Sequence, residues 1–427
     1  MTAWWIADPT TADSQRQRLL DDYAAHVADD ISAPLRALRA SILTNGGDRD
    51  LVRDPDGTAY LDLRCGAGVA ALGHRPRAAV DALRDALRTM DIGDQQLPSQ
   101  LRADLAADLS TTVGEGRWRW QFCGGGSEAA EFALRTAMAA TGRDRVVALH
   151  GGYHGQAGLA AAVTDPRHLP GPYPRLAVEP IRITPNDDVA LALIDDRVAA
   201  VIAEPVQLSG RICLLSAEWL RALRLRCDTT GTILVLDETK SGLNRCGPLW
   251  AHENSGIVPD ILLVGKALSA GLYPVAAYGL RDEGVLRDWR SPLRSSYGGS
   301  LLGMAVGRAA LAQLTDPDNQ RCYQRTAEAF ALRLRHHLGH PDDSGRQLRR
   351  HGAAFELALP NPETALFVAA DLLHRRVLVP MPTASALILL PALTVSDDTA
   401  DLACARIAAA VRAAAAALPS GEDATIC

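Results

Sequence analysis

The apolar positions of this chain are spaced in two ways, and the spacing divides it into elements. Four short runs are apolar almost without a break: RVVALH (145–150), VAAVIAEPV (198–206), GTILVLDE (231–238) and DILLVGKAL (260–268). Such runs lack the alternation of a half-covered strand, and they predict strands buried on both faces, as in a parallel sheet. Segments with helical spacing, such as 216–227, lie between them, so the stretch from about 75 to 335 reads as alternating β and α elements. The first fifty residues are polar and helix-rich and end in a loop, NGGDRD, at 45–50. DPDGTAYLDL (54–63) then reads as a turn leading into a short alternating strand. Beyond about 305 the pattern predicts a long helix, strands at FELAL, VLVPM and ALILL, and an Ala-rich helix near 400–417. The tail PSGEDATIC is expected to lack order. The expected architecture is α/β, with a large domain (61–305) of mostly parallel sheet between helices and a smaller α+β domain (306–427) that the N-terminal segment (1–60) joins.

Composition changes this picture in three places. With 48% apolar residues the chain can form a sizeable core, and its net charge of −6 argues against non-specific nucleic-acid binding. The N-terminus has no basic region followed by an apolar run, and no stretch reaches the length of a membrane span, so neither a signal peptide nor a membrane anchor is expected. The eight cysteines are scattered without C-x-x-C pairs, which predicts free thiols in a reducing cytoplasm and no metal site. Lys and Arg total 44, yet only Lys240 and Lys266 are lysines. In a chain that uses arginine for almost all its positive charge, a lysine marks a place where an amine that can lose its proton is needed, or it survives by chance.

Both lysines lie in the segment with the most chemistry. Asp237 ends one buried run and Lys266 ends the next, at the carboxyl edge where α/β sheets place ligands; a strand-end Asp can also simply cap a turn. A lysine at the end of a buried strand is costly unless it is paired or reacted. Upstream, Gly124, Gly125 and Gly126 precede a helix starting near Ser127, an arrangement that cradles a phosphate or serves only as a flexible turn. Tyr153 and His154 follow the 145–150 strand, where an aromatic ring could stack on a planar ligand or pack a loop. An Asp for a pyridinium nitrogen and a Lys for an imine are the two charged groups that pyridoxal 5′-phosphate (PLP) chemistry requires.

In this order and at these spacings, the segments from DPDGTAYLDLRCGAGVAALGH (54–74) through GGGSEA, GGYHG, IAEPVQ, LDETKSGLNRCG and PDILLVGKALSAGLYP to SSYGGSLLGMA (295–305) resemble the class III, ornithine/4-aminobutyrate type, PLP-dependent aminotransferases. The resemblance implies fold type I and a ping-pong transfer of an amino group from a small-molecule donor to an aldehyde or ketone. It implies that Lys266 forms the Schiff base with PLP and then shuttles a proton, and that Asp237 keeps the ring nitrogen protonated. Gly125, Gly126 and Ser127 would bind the phosphate, Tyr153 would stack on one ring face, and Thr239 would cover the other. Glu204 would form a site wall and Arg245 would be structural. Ser296 would reach the phosphate of a neighbouring subunit, which makes a homodimer with its active site at the subunit interface the expected unit.

Departures from the family pattern carry information of their own. The phosphate loop is richer in glycine than usual, and Lys240 stands where the family has a Gln beside the cofactor's phenolic oxygen. A cation there should favour the phenolate and depress its own pKa; the competing expectation is that Lys240 swings away to an acid such as Glu238. In amino-acid transaminases of the family a Glu five residues after the E of E-P pairs with a C-terminal Arg, and the pair opens for a substrate carboxylate. Those positions hold Ser209 and Ile388, so that switch is absent. The alternative reaction is a 2,1-amino shift of the glutamate-1-semialdehyde type, an epimerisation or a decarboxylation. A dinucleotide oxidoreductase fits less well, because GGGSEA lacks G-x-G-x-x-G spacing and Asp237 and Lys266 would go unexplained.

Overall fold

The computed structural model describes residues 9–27, 46–54, 57–114, 116–169, 178–287, 289–290, 293–339 and 348–418. The tail 419–427 lies outside the described residues. After a helix, α1 (Pro9–His26), three short strands form an antiparallel ribbon: β1 (Gly47–Asp48), β2 (Leu51–Arg53) and β3 (Ala59–Asp62). A strand thus occurs inside the 45–50 segment expected to be a loop, because Gly47 and Asp48 pair with Val52 and Leu51.

The central sheet has seven strands in the order β4 (Trp118–Cys123), β12 (Ala276–Arg281), β11 (Ile261–Val264), β10 (Ile233–Asp237), β7 (Val198–Ala203), β5 (Arg145–Leu149) and β6 (Ile181–Ile183). Five of them, β5, β6, β7, β10 and β11, run parallel to one another. Outside the sheet, β8 (Val206–Gln207) and β9 (Cys213–Leu214) pair with each other. The four continuous apolar runs supply β5, β7, β10 and β11, and every residue of the last three is buried. Alternate side chains serve opposite faces, as the two-residue period demands. Leu234, Leu236, Leu262 and Val264 enter one core with Trp219, Leu220 and Leu223 of the helix Ala217–Thr230. Ile233, Val235, Ile261 and Leu263 enter the other, against Ala129, Ala130, Ala133, Leu134 and Ala137. These five residues belong to the helix Gly126–Thr141, which in chain order is α4 after Arg77–Ala86 (α2) and Gln100–Ser110 (α3). Its run of alanines lets the helix lie close on the sheet.

The pattern reading assigned no strand to β4 (Trp118–Cys123) or β12 (Ala276–Arg281). β12 runs antiparallel to both β11 and β4. Gly279 allows this pairing: a Cβ there would lie 2.8 Å from the Trp120 ring on the paired strand. An aromatic partner facing a glycine obscures the apolar signal of both strands.

The long helix expected after 305 is two helices, Leu301–Thr315 and Pro317–Leu338. Asp316 breaks it, since its side chain accepts from the Asn319 N–H at 2.9 Å and Pro317 takes the first helical position. Then follow β13 (Leu348–His351), β14 (Ala354–Ala358), the helix Pro362–His374, β15 (Val377–Leu378), β16 (Ala386–Leu389) and the helix Asp397–Ala417. β13, β14 and β16 form an antiparallel sheet, while β15 pairs in parallel with β3. The segment after β3 continues the tie, because Leu390 N–H donates to Leu63 O and Leu393 N–H to Ala71 O, both at 2.8 Å. That segment also carries Gly68 past Lys266 and Ala70 past Gly271, beyond the end of β11.

Candidate active site

The parallel strands deliver one residue each to that edge. Asp237 is the last residue of β10, in register with Leu263 of β11, and Lys266 follows β11 by two residues. Lys266 has φ of 40°, in the left-handed region that L side chains disfavour by about 1–2 kcal/mol. It opens a single tight turn, Lys266–Ser269, in which the Ser269 hydroxyl donates to Lys266 O at 2.7 Å. Backbone held in this region is typical of residues whose position matters more than their comfort. Removal from water pushes the Lys266 pKa down, and Asp237 and Glu204 only partly restore it.

Asp237 is buried and fully engaged. Its Oδ2 lies 2.8 Å from Nδ1 of His154, and its Oδ1 accepts from the Thr239 hydroxyl at 2.7 Å and from the Thr239 N–H at 3.1 Å. Burial alone would raise the Asp237 pKa; the hydrogen bond and charge of His154, the Thr239 bond and the charge of Lys266 overcome it, and the net direction is down. His154 is itself fixed, with its N–H donating to the Thr164 hydroxyl at 2.8 Å. Its Nδ1 carries the proton that Asp237 accepts, and its buried Nε2 has no partner among the described residues.

The glycine-rich turn sits across from this pair. Gly125 is extended (φ −168°, ψ 169°), and no side chain among the described residues caps the N-terminus of α4, so the Gly126 and Ser127 region presents backbone N–H groups and the helix dipole. In the glycine loop, the Gly124 N–H donates to Glu128 Oε2 at 2.8 Å. A Cβ on Gly155 would lie 2.3 Å from Ser127 Oγ, so the GGYHG segment can reach the turn only with glycine at this position, where φ is 129°. A Cβ on Gly126 would lie 3.4 Å from Cγ2 of Thr239, which places Thr239 between the turn and Asp237. Tyr153 donates its N–H to Glu204 Oε1 at 2.9 Å, and its half-buried ring packs edge-on to His168 with centroids 6.4 Å apart. Burial raises the Glu204 pKa to about 7, with Asp237 adding to the rise and His154, the Tyr153 N–H and Lys240 opposing it.

Lys240 completes the cluster. Its Nζ donates to Leu208 O at 2.7 Å. Glu238 is already taken, by the Ser241 hydroxyl at 2.7 Å and by the His252 N–H and ring nitrogen at 2.9 Å each, so the alternative Lys240–Glu238 pair does not form. Both lysines pass over Gly68, where an added Cβ would lie 3.5 Å from Lys266 Cδ and 3.7 Å from Lys240 Cγ. Desolvation first, and then the charge of Lys266, lower the Lys240 pKa to about 8.

Comparison with known proteins gives this arrangement its family. The sequence profile of the class III aminotransferases matches residues 38–411. The chain belongs to the class III aminotransferases. It is 30% identical to the acetylornithine aminotransferase of Methanopyrus kandleri, over 86% of this chain and 93% of that one. It is 32% identical to a LysW-aminoadipate semialdehyde/glutamate semialdehyde transaminase of Sulfurisphaera tokodaii, over 76% and 84%. The crystal structure of ornithine aminotransferase from Toxoplasma gondii shares the fold, with a TM-score of 0.79 at 24% identity over 90% of this chain and 95% of that one. The protein is therefore a PLP-dependent transaminase of fold type I, acting on a small-molecule amino donor and a carbonyl acceptor.

The residues present suit that cofactor. An uncapped helix N-terminus suits its phosphate, a buried carboxylate kept ionised suits its ring nitrogen, and a desolvated amine suits its aldehyde. Of the residues singled out in the sequence, Gly125, Gly126, Ser127, Tyr153, Glu204, Asp237, Thr239, Lys240 and Lys266 converge at one sheet edge. Ser296 does not join them; it is exposed, on a loop seated against the end of β4 through Gly298. Arg245 is buried and donates to Ala353 O and Pro391 O, tying the site loop to the C-terminal region. Sequence reasoning gave no role to His154, Gly68, Gly155 or the Leu208 carbonyl. Only His154 left a signal, as the neighbour of Tyr153; the others act through backbone or through lacking a side chain.

Proposed function

We propose that this transaminase works through Lys266, with Asp237 as the carboxylate behind the cofactor ring, and passes an amino group from an amino donor to an aldehyde or ketone acceptor. The observation that carries the reading is the placement of Asp237 and Lys266 at the ends of adjacent parallel strands, with the carboxylate braced by His154 and Thr239. When bound, PLP supplies an electron sink for the electrons left on the amine-bearing carbon. The chain's own groups do the rest. The Lys266 amine, held neutral more readily by desolvation, takes and returns the proton at the substrate carbon. Gly125, Gly126 and Ser127 hold the phosphate, Tyr153 and Thr239 confine the ring, and Glu204 fixes the Tyr153 backbone. The semialdehydes for which the Sulfurisphaera tokodaii relative is named favour an aldehyde acceptor for this chain as well. Reaction of the holoenzyme with an amino donor and no acceptor tests the reading. One equivalent of keto product per site is expected; a rearranged or epimerised substrate with no keto product would favour the mutase or epimerase alternative.

Lys240 gives a second test. With its pKa lowered to about 8, its ammonium is present below that pH and is lost as pH rises through it. Beside the cofactor's phenolic oxygen, that charge favours the ionised oxygen. Lys240→Gln should therefore shift the spectroscopic pKa of the bound cofactor upward and change kcat, in parallel pH titrations of wild type and variant. Superimposable curves would show that Lys240 does not touch the cofactor.

The working unit in this reading is a homodimer in the cytoplasm. Tyr297, beside Ser296, is 71% exposed, and Leu97, Leu87, Met90 and Ile92 are exposed on the adjoining segment. That segment is joined to the Ser296 loop by Leu301 N–H on Ile92 O (3.1 Å), Arg102 Nε on Gly299 O (2.6 Å) and the Gln95 side chain on Gly298 O. An apolar patch around an exposed serine suits a second copy of the chain, which would bring Ser296 to the neighbour's phosphate. Seven cysteines are free among the described residues, in keeping with a reducing compartment. Sedimentation at assay concentration should give a dimer of the 45.5 kDa chain, and Ser296→Ala should loosen the cofactor. Full activity in a monomer would contradict the dimer.

A further inference from the structure

The segment that runs on from Glu204 makes a charge pair with β14 in which acid and base stand on exchanged sides. Positions 209 and 388, the family's Glu and Arg, are Ser209 and Ile388. Glu356 on β14 is the register partner of Ile388 on β16, so both side chains leave the same face of that sheet. Glu356 is 0% exposed. Its Oε1 accepts from Arg211 Nε at 2.8 Å and lies 2.7 Å from Arg211 Nη2, and its Oε2 accepts from the Ile212 N–H at 2.6 Å. Arg349, opposite Glu356 on β13, adds a contact at 3.7 Å. Two guanidiniums on one carboxylate leave the cluster positive, and the arginine side chains are 44% and 49% exposed.

Arg211 stands on the same segment that walls the cluster. Along it, Glu204 accepts from the Tyr153 N–H, and Leu208 O accepts from Lys240. A Cβ on Gly210 would lie 3.4 Å from Cε1 of His168, whose ring packs on Tyr153. A guanidinium offers five donors in a planar fork. Glu356 occupies Nε and Nη2, and nothing among the described residues accepts from Nη1.

We propose that Arg211, braced by Glu356, is the anchor for a carboxylate of the amino donor. The assignment rests on the transaminase reading and narrows the donor to amino acids over simple amines. Arg211 acts as a fixed hook, because swinging away would leave Glu356 buried with only the Ile212 N–H and the more distant Arg349. A substrate carboxylate therefore meets the free edge of the fork without any exchange of partners.

The test uses holoenzyme and the ratio of kcat/KM for glutamate to that for a carboxylate-free amine, isopropylamine. Arg211→Met strands a buried charge, so the double variant Arg211→Met/Glu356→Leu, which removes both partners, is measured beside it. In both, the ratio should fall about 50-fold, the worth of a charge-assisted contact, and Arg211→Lys should recover part of it. Glutarate, a dicarboxylate that cannot react, should bind the double variant with a Kd raised by a similar factor, about 50-fold. An unchanged ratio, or an unchanged glutarate Kd, would overturn the assignment, as would a wild type that accepts only carboxylate-free amines. A wild type that releases no keto product from any donor would instead overturn the transaminase reading itself.

Discussion

Lys266→Ala is expected to purify without the visible cofactor band at about 410–430 nm and to transaminate about 10⁴-fold or more below wild type. The expected loss is large because the proposed role gives one amine two purposes, covalent attachment and proton transfer, and no other lysine is placed to take over either. Lys240 is the only other lysine in the chain, and its Nζ is turned to the Leu208 carbonyl. It also lies beside Thr239 and not at the end of β11, so it cannot approach Asp237 as Lys266 does. Arg at position 266 would not substitute, because a guanidinium neither adds to an aldehyde nor gives up its proton. Reduction of the wild-type holoenzyme with borohydride followed by peptide mapping checks the assignment directly. The label should fall on the peptide containing Lys266; a label on Lys240 would reverse the roles of the two lysines.

How far this site was legible in the sequence depended on what each part is made of. β5, β7, β10 and β11 were readable because both faces of each are buried, and a buried strand has no reason to contain polar residues until it reaches the edge. The residues that interrupt such runs, Asp237 and Lys266, therefore stood out. β4 and β12 did not, since Trp120 fills the space over Gly279 and neither strand reads as apolar by itself. The helix break at Asp316–Pro317 was present as a cap followed by proline, but apolar periodicity continues through it. The His154–Asp237 contact joins residues 83 positions apart, and the Arg211–Glu356 pair joins residues 145 apart. Neither end of such a pair announces the other. The absence of charge at 209 and 388 was visible, whereas its return from another strand depended on the register of β14 against β16.

Asp237→Asn should retain PLP yet lower kcat by about 10³-fold or more, since the transition state loses a preorganised charge. Retention is expected because the proposed phosphate site is the turn at Gly125–Ser127, which Asp237 does not touch. Asparagine has the shape of aspartate and can still accept the His154 N–H with its oxygen, while its amide donates to Thr239 Oγ1 and gives up the bond from the Thr239 N–H. The shape is thus preserved, and the change removes the charge together with one backbone hydrogen bond. In the wild type, His154, Thr239 and Lys266 hold the Asp237 pKa below its ordinary value despite burial. The carboxylate is accordingly ionised throughout the neutral range and is lost only as pH falls through that lowered pKa. The neutral amide has no such limb, so the deficit of the variant should be the same at every pH from about 6 to 9. Cofactor content from the absorbance spectrum and kcat across that range provide the check. A variant within about threefold of wild type would mean that another group keeps the ring nitrogen protonated, and the bracing of Asp237 by His154 would then serve stability alone.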